Sequence, residues 1–520
     1  FVDMTFFLET GAAYGVTSGL EFSRVLCRPH GLRAEGTPRG ARSGRRSALF
    51  EQNRQHLNAV IAGAGATLRG RVRFLIREGS YAGAMKRIWT DYAVGTGWTP
   101  VSLHPNAEVR AALNLGWKAW TDLCDYDGLT DYYGLQALIG DEEFEAGECF
   151  VRLHPDPDVG LRLQVIESEQ LPYSNLPAEG EALAQGHEVR LGVEFNARGR
   201  RVAYHFYRQH PGDGTKEFSD ARLLMRVPAE EILHIFRVRR PGQIRGYPQL
   251  AGAIVPNFKL EEYEDALLER AAQSAKYMGF ITRAGGGNED PTPVGSDGGA
   301  REYQLETGVL YEVDPEEKIE FNTPPEPGAG FDDMERRFIA KACAAVGVPY
   351  AEVSGDLKNA NFSSARIGRQ PLRRSVERWG HATLNFQFNR PVWAAWLRLG
   401  MLAGQISLPR GASRQIEAYL PVNWLPPHWE YVNPLDDVKA DEIAVANGFK
   451  PRGHVIAATG YSPEEVDAQI ADDQGRQDRL KLRIGSTKSQ NAAASTTKPS
   501  DRERDGAPAD AEDEEEDAAK

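Results

Sequence analysis

The sequence predicts an α+β protein assembled from several parts. Three observations carry that prediction. At 520 residues the chain exceeds one compact core, and its length suggests roughly two to four domains or one elongated subunit. Helical periodicity dominates up to about residue 144 and gives way near 148 to period-two alternation. The strands come as a block after the helices and do not alternate with them, which argues against a doubly wound parallel sheet.

Taken in order, residues 31–49 (GLRAEGTPRGARSGRRSAL) are rich in Gly, Arg, Pro and Ser and read as a flexible basic arm. Two amphipathic helices are predicted near 54–78 and 80–93, broken around Gly79. A third, over 106–123, sets Val109, Leu113, Trp117 and Trp120 at helical spacing, so these should be core. GLTDYYGLQALIGDEEF (128–144) repeats the pattern, with Asp141, Glu142 and Glu143 expected on a solvated face. ECFVRLHP, LRLQVIES, EVRLGVEFN and RVAYHFYRQ read as strands, and FNARGRRVAY contains a glycine-bearing hairpin turn. A long helix is predicted over 256–279. Phe258, Tyr263, Leu267, Ala271 and Ala275 mark one face of it and acids another. After a Gly-rich irregular stretch (283–303), GVLYEV and KIEFN read as short strands, followed by TPPEPGAG. A helix over 331–347 should stop at Gly347, with Pro349 beyond. The next should begin near Ser364 and run toward Asn389, about 39 Å at 1.5 Å per residue. Pro391 should kink or restart it. Residues 424–474 read as a loop and short helices, one starting at Ser462 with Glu465 three residues on. From about 485 the chain is low-complexity and reads as disordered.

Composition excludes several functions. Net charge is −13, but residues 501–520 alone hold ten acids against three bases. Such a chain is not an avid general nucleic-acid binder, because that requires a basic surface to displace counterions. No apolar run approaches a membrane span, and the start lacks the basic region of a secretory leader. Cys27, Cys124, Cys149 and Cys343 form no C-x-x-C pair and read as reduced thiols.

The candidate chemistry also fails. In SGDLKNANFSSARIGRQ (354–370), Gly355 and Lys358 stand in the wrong order for a phosphate-binding loop. Neither Ser363 nor Ser364 sits in G-x-S-x-G. Cys149 and His154 are five apart on one predicted strand and so point to opposite faces. DPDVGLRLQVIE places Asp156, Asp158 and Glu167 like a calcium loop. Gly160 and Leu161 fill the wrong positions, however, so a hairpin is the better reading. The eleven histidines show no metal-binding spacing. No catalytic residue, cofactor or metal is predicted.

The order of segments resembles the portal proteins of lambda-like tailed bacteriophages over about residues 50–475. The likeness rests on RVRFLIREGSYAGAMKRIWTDYAVGTG, WKAWTDLCDYDGLTDYYGLQALI, GDEEFEAGECFVRL, LQVIESEQLP, GVEFNARGRRVAYHFY, VPAEEILHIFRVRRPGQIRGYPQL, FIAKACAAVGVPYAEVSGDLKNANFSSAR and NPLDDVKADE, in that order.

The resemblance implies a portal fold with a helical and β wing (50–255), stem helices (256–280 and 328–348) and a small α/β clip (281–327). A tunnel loop (349–365), a long helix returning to the wing (366–433) and a helical crown (434–480) complete it. Residues 1–49 would be an N-terminal extension and 481–520 an acidic tail. It implies a homo-oligomer, expected as a dodecamer, at the capsid vertex of the virion, assembled in the host cytoplasm. Double-stranded DNA would pass through it during packaging and ejection. Its partners would be the major capsid protein, the terminase large subunit and a head–tail connector. Channel residues would be Lys358, Asn359, Asn361, Ser363, Ser364 and Arg366. Docking residues on the clip would be Arg283, Arg301, Tyr303, Glu312 and Lys318. The mixed-charge stretch RRSVERWGHATLNFQFNR could supply subunit contacts. A head-associated hydrolase or nuclease, or another head–tail adaptor, is the alternative.

Overall fold

The computed structural model describes residues 55–214, 223–276, 279–283, 317–321, 330–356, 362–406, 412–429, 431 and 433–482. The basic arm and all but the first two residues of the acidic tail lie outside them. Two helices come first, α1 (Leu57–Glu78) and α2 (Ser80–Ala93). The extended backbone of Gly79 separates them, and its N–H closes α1 on the Leu75 carbonyl at 2.8 Å. After strand β1 (Thr99–Ser102) come α3 (Ala107–Thr121) and α4 (Tyr132–Ala146). Each starts on a side-chain cap. Asn106 accepts from the amides of Glu108 and Val109, and Asp131 from that of Gly134. Helix α4 ends at Gly147, whose φ of 87° suits glycine. A Cβ there would run into the backbone of Tyr247 and Pro248.

Seven strands follow: β2 (Glu148–Asp156), β3 (Gly160–Ile166), β4 (Glu188–Arg190), β5 (Val193–Phe195), β6 (Arg201–Tyr207), β7 (Leu224–Pro228) and β8 (Ile232–Phe236). They form two antiparallel sheets, ordered β3-β2-β8 and β4-β5-β6-β7. With the helices before and after them, they make the molecule α+β. The calcium-like stretch is a hairpin, as its sequence suggests. The Asp156 carboxylate accepts the amides of Asp158 and Val159, and Gly160 turns with φ 85°. EVRLGVEFN, predicted as one strand, is two. Leu191 (φ 55°) and Gly192 (φ 83°) break it, and Arg245 binds the Leu191 carbonyl at the break.

Helix α5 (Ile254–Lys276) leads to β9 (Gly279–Arg283) and β10 (Glu317–Phe321), an antiparallel pair, and then to α6 (Gly330–Val346). KIEFN therefore pairs with GFITR, while GVLYEV lies outside the described residues. Gly347 ends α6 with φ 88°. Next come α7 (Tyr350–Ser354) and α8 (Phe362–Trp379). A π-helix, Gly380–Asn389, continues α8 into α9 (Arg390–Leu402). Pro391 produces no break. The Arg390 amide bonds five residues back to Asn385, so the turn is already widened where the proline ring would meet a carbonyl. Strand β11 (Val422–Leu425) pairs with β1, and three helices close the described chain: α10 (Pro434–Ala446), α11 (Arg452–Ala458) and α12 (Pro463–Leu480). Ser462 stands before α12 but makes no side-chain cap, and Glu465 pairs with Lys118 at 2.6 Å instead.

The core centres on Trp117, predicted buried and 1 % exposed. Its ring lies 4.8–5.8 Å from those of Trp120, Tyr132, Trp393, Trp396 and Trp424, which joins α3, α4, α9 and β11. A second cluster, with Phe150, Val193 and Phe206, lies between the two sheets. The apolar face predicted for α5 is not a core face. Leu260 is buried near its start, but Phe258 is 48 % exposed and nothing described beyond Leu260 is buried. Among the described residues no helix is long and apolar enough to cross a membrane.

Candidate functional site

The stretch that carries the six channel candidates runs from the connection after α7 into the first turns of α8. Its approach is fixed by short-range bonds. The Ser354 hydroxyl donates to the Tyr350 carbonyl at 2.9 Å and accepts the Asp356 amide at 3.2 Å. Gly355 takes φ 68°, ending α7 in the left-handed region. Val348 and Val353 are buried beneath this turn.

Both legs are then tied to one carboxylate. Glu352 on α7 accepts the Tyr92 hydroxyl of α2 at 2.8 Å and the Arg369 guanidinium of α8 at 2.5 Å. Tyr92 stacks on Trp429 at 5.0 Å, and Arg373 lies over the same indole at 5.1 Å. Lys358, Asn359 and Asn361 lie outside the described residues. Ser363, Ser364 and Arg366 have their backbone in the opening turns of α8. Of the docking candidates, Arg283 and Lys318 sit on β9 and β10, where Arg283 faces Glu317 in the register. Arg301, Tyr303 and Glu312 lie outside the described residues.

The structure also holds a buried ionic centre that sequence reasoning missed. Glu148 opens β2 with its side chain wholly buried. It pairs with Arg245 at 2.6 Å and His234 at 2.9 Å, and accepts the Gly246 amide and the Ser168 hydroxyl. Burial by itself would raise the Glu148 carboxyl. Arg245 and His234 outweigh it and hold the group well below the usual carboxylate range. Burial pushes His234 down to about 4 despite its carboxylate partner. Arg245 also donates to the carbonyls of Leu171 and Leu191. It thus ties β2 to the loops on either side of β4.

The acids expected on the solvated face of α4 belong to a neighbouring network. Glu142 and Glu143 are 7 % and 1 % exposed. Arg73 of α1 reaches Glu142 at 2.7 Å, Glu145 at 3.0 Å and Glu169 at 2.7 Å. Lys86 of α2 binds Glu145, and Arg237 lies 3.6 Å from Glu143. One guanidinium shared among three carboxylates cannot offset their burial equally. Burial and Glu169 push Glu142 up to about 7, while the Glu169 carboxyl, bound by Arg69 and Arg73, stays below its ordinary value. Of the predicted triplet only Glu142 meets a cation from the first helix; Asp141 meets Lys86 of α2 and Glu143 meets Arg237, far off in sequence.

Among the described residues none of the alternative chemistries assembles. Burial pushes the Cys149 thiol far up, and His154 is engaged with Gln164 at 2.9 Å. Glu167, Glu169 and His210 come within ligand distance of one another. His210 accepts the Gly212 amide at Nδ1, which leaves Nε2 as the N–H that donates to Glu167 at 3.0 Å, and Glu169 is held by arginines. These donors are engaged with one another, so they make a poor cation cage.

Comparison with known proteins identifies the class to which this architecture belongs. A sequence model described as phage portal protein matches residues 43–379. The chain belongs to the lambda family of phage portal proteins, which are structural and not enzymatic. It is similar to a probable portal protein of Halomonas phage phiHAP-1, with 26 % identity over 80 % of this chain and 81 % of that one. It also resembles solved chains of gene transfer agent (GTA) particles. One is from the neck of an empty particle computed with C6 symmetry, at 15 % identity, covering 77 % of this chain and 94 % of that one, TM-score 0.42. Another is from the neck of a native particle computed with C12 symmetry, at 14 % identity, covering 75 % and 94 %, TM-score 0.40.

Proposed function

We propose that this portal protein forms a closed homo-oligomeric ring, a dodecamer, at the capsid vertex of the virion, and that double-stranded DNA enters and leaves through its channel. In this reading α5 and α6 are the stem, and β9 and β10 belong to a clip that meets the terminase large subunit and later a head–tail connector. The wing meets the major capsid protein, and α10–α12 form the crown. The observation that carries the reading is the order of elements: a long helix, a small antiparallel strand pair, a second helix, then a short polar segment held at both ends by Glu352. That segment, with Lys358, Asn359 and Asn361, followed by Ser363, Ser364 and Arg366 on α8, would line the narrowest part of the channel.

Charge supports the reading. A conducting channel must not hold DNA tightly, and each Lys or Arg that neutralises a phosphate adds a salt-sensitive increment of binding. A chain of net charge −13 with one lysine in the segment meets that condition.

Electron microscopy of the purified full-length protein tests the assembly: rings with a central channel are expected. Monomers under all conditions, together with a chelator-sensitive nuclease activity, would refute it. Lys358→Glu tests the channel. Rings should still form while DNA packaging or retention changes, and unchanged packaging would remove Lys358 from the DNA path.

A further inference from the structure

We propose that the outer face of α8 docks against α5 of a second copy of this chain, basic ridge to acidic ridge. This rests on the ring reading above and names a contact within it.

Helix α8 buries Leu372, Val376 and Trp379. At 100° per residue, Arg374 and Arg378 lie about 200° and 240° around from Leu372, facing away from the core. Both are exposed, and among the described residues neither makes an ion pair or hydrogen bond. They are four positions apart, about 6 Å along the axis. Ile367 falls on the same face, 66 % exposed.

Helix α5 carries the complement. Glu261 and Asp265 are also four positions apart; Asp265 is exposed, Glu261 is half-buried beside Gly79, and no cation among the described residues pairs with either. Burial and the carboxylates of Glu335, Glu261 and Asp265 push the nearby Glu264 up, as expected where acids crowd without a counter-charge. Phe258 and Leu268 flank this ridge, 48 % and 69 % exposed. Two cations at about 6 Å spacing, with an aliphatic residue about 10 Å along the same face, meet two anions at the same spacing flanked by two apolar ones. The exposed apolar side chains on both faces favour a protein partner over DNA, which offers little to an isoleucine. A ring requires a heterologous contact in which one face of a subunit meets a different face of its neighbour, and these two faces differ.

The test uses full-length protein, with the concentration for half-assembly read by light scattering and rings counted by microscopy. Arg374→Glu with Arg378→Glu should raise that concentration about tenfold, equivalent to about 1.4 kcal/mol. Glu261→Arg with Asp265→Arg should do the same, and all four together should return it to near wild type. Thermal melts check that each variant folds. Asp265→Arg alone carries the acidic arm if the half-buried Glu261 does not tolerate arginine. Assembly of either reversed pair like wild type, or a fourfold variant no better than the doubles, overturns the contact while leaving the ring. Normal rings with altered DNA retention in the arginine variant would make this a DNA-facing surface and overturn it too. A wild type that never closes rings overturns the ring reading and this contact together.

Discussion

Replacing Arg245 with methionine should cost about 3–5 kcal/mol of stability at neutral pH, the usual loss when one partner of a buried ion pair is removed. The guanidinium is wholly buried and bonds Glu148 along with the carbonyls of Leu171 and Leu191. Methionine fills much of the volume and none of these bonds. Glu148 would keep its hydrogen bonds to His234, Ser168 and Gly246, none of which brings a full counter-charge at neutral pH. The sign of the pH dependence follows. In the wild type the Glu148 carboxyl is held low, so its contribution is present above the unfolded value near 4.5 and fades as pH falls through the folded one. In the variant the same carboxyl rises above its unfolded value, and stability is lost as pH climbs through it. The gap between the two proteins should therefore be widest at neutral pH and narrow toward pH 4. Urea unfolding of the full-length protein, followed by circular dichroism at several pH values, measures it. Adding Glu148→Gln to the variant should recover about 1–3 kcal/mol. A loss under about 1 kcal/mol, or one independent of pH, would refute the reasoning.

Three other outcomes are expected. Glu142, pushed up to about 7, favours the fold fully below its unfolded value near 4.5, and that advantage disappears as pH rises through 7. Glu142→Gln should flatten the stability slope between pH 6 and 8, and melts across that range would show an unchanged slope if Arg73 fully offsets the charge. Gly380→Ala would drive a Cβ into the Trp98 indole at the start of the π-helix. A cost of about 1–3 kcal/mol is expected from overpacking, and a melt equal to wild type would mean that the indole moves aside freely. Tyr92→Phe removes one donor to Glu352 and leaves the stacking on Trp429 in place. It should cost about 1 kcal/mol in unfolding free energy, measurable by urea titration, whereas a cost near zero would show that Arg369 alone satisfies the carboxylate.

The helices with strong apolar periodicity were legible from residue types alone. Leu113, Trp117 and Trp120 are core because their spacing places them on one face, and the burial agrees. The hairpin at Asp156–Gly160 and the stop at Gly347 follow from local turn chemistry. The charged interior was not legible. Glu142, Glu143 and Glu148 look like surface residues because periodicity weighs each as polar, while their cations come from α1 and from the chain around Arg237 and Arg245, far off in sequence. Helix α5 failed in the opposite sense. Its apolar residues predict a covered face, but beyond Leu260 one copy of the chain leaves Tyr263 and Leu267 only half-buried and Ala271 exposed. Nor could the Glu352 tie be seen, since it joins Tyr92 and Arg369 across 260 and 17 positions.

That tie has a mechanical meaning. Asp356 and Phe362 are separated by five residues, which at full extension reach only about 20 Å. Helices α7 and α8, on either side, are joined through Glu352, and Glu352 meets α2 through Tyr92. A pull on the intervening residues cannot be absorbed by sliding one leg past the other without breaking the Arg369 bond. Glu352 thus couples both legs to a helix whose Trp89 also packs directly against Trp379 of α8 at 4.9 Å. The two legs stand on one stiff frame, and what either feels the frame feels as well.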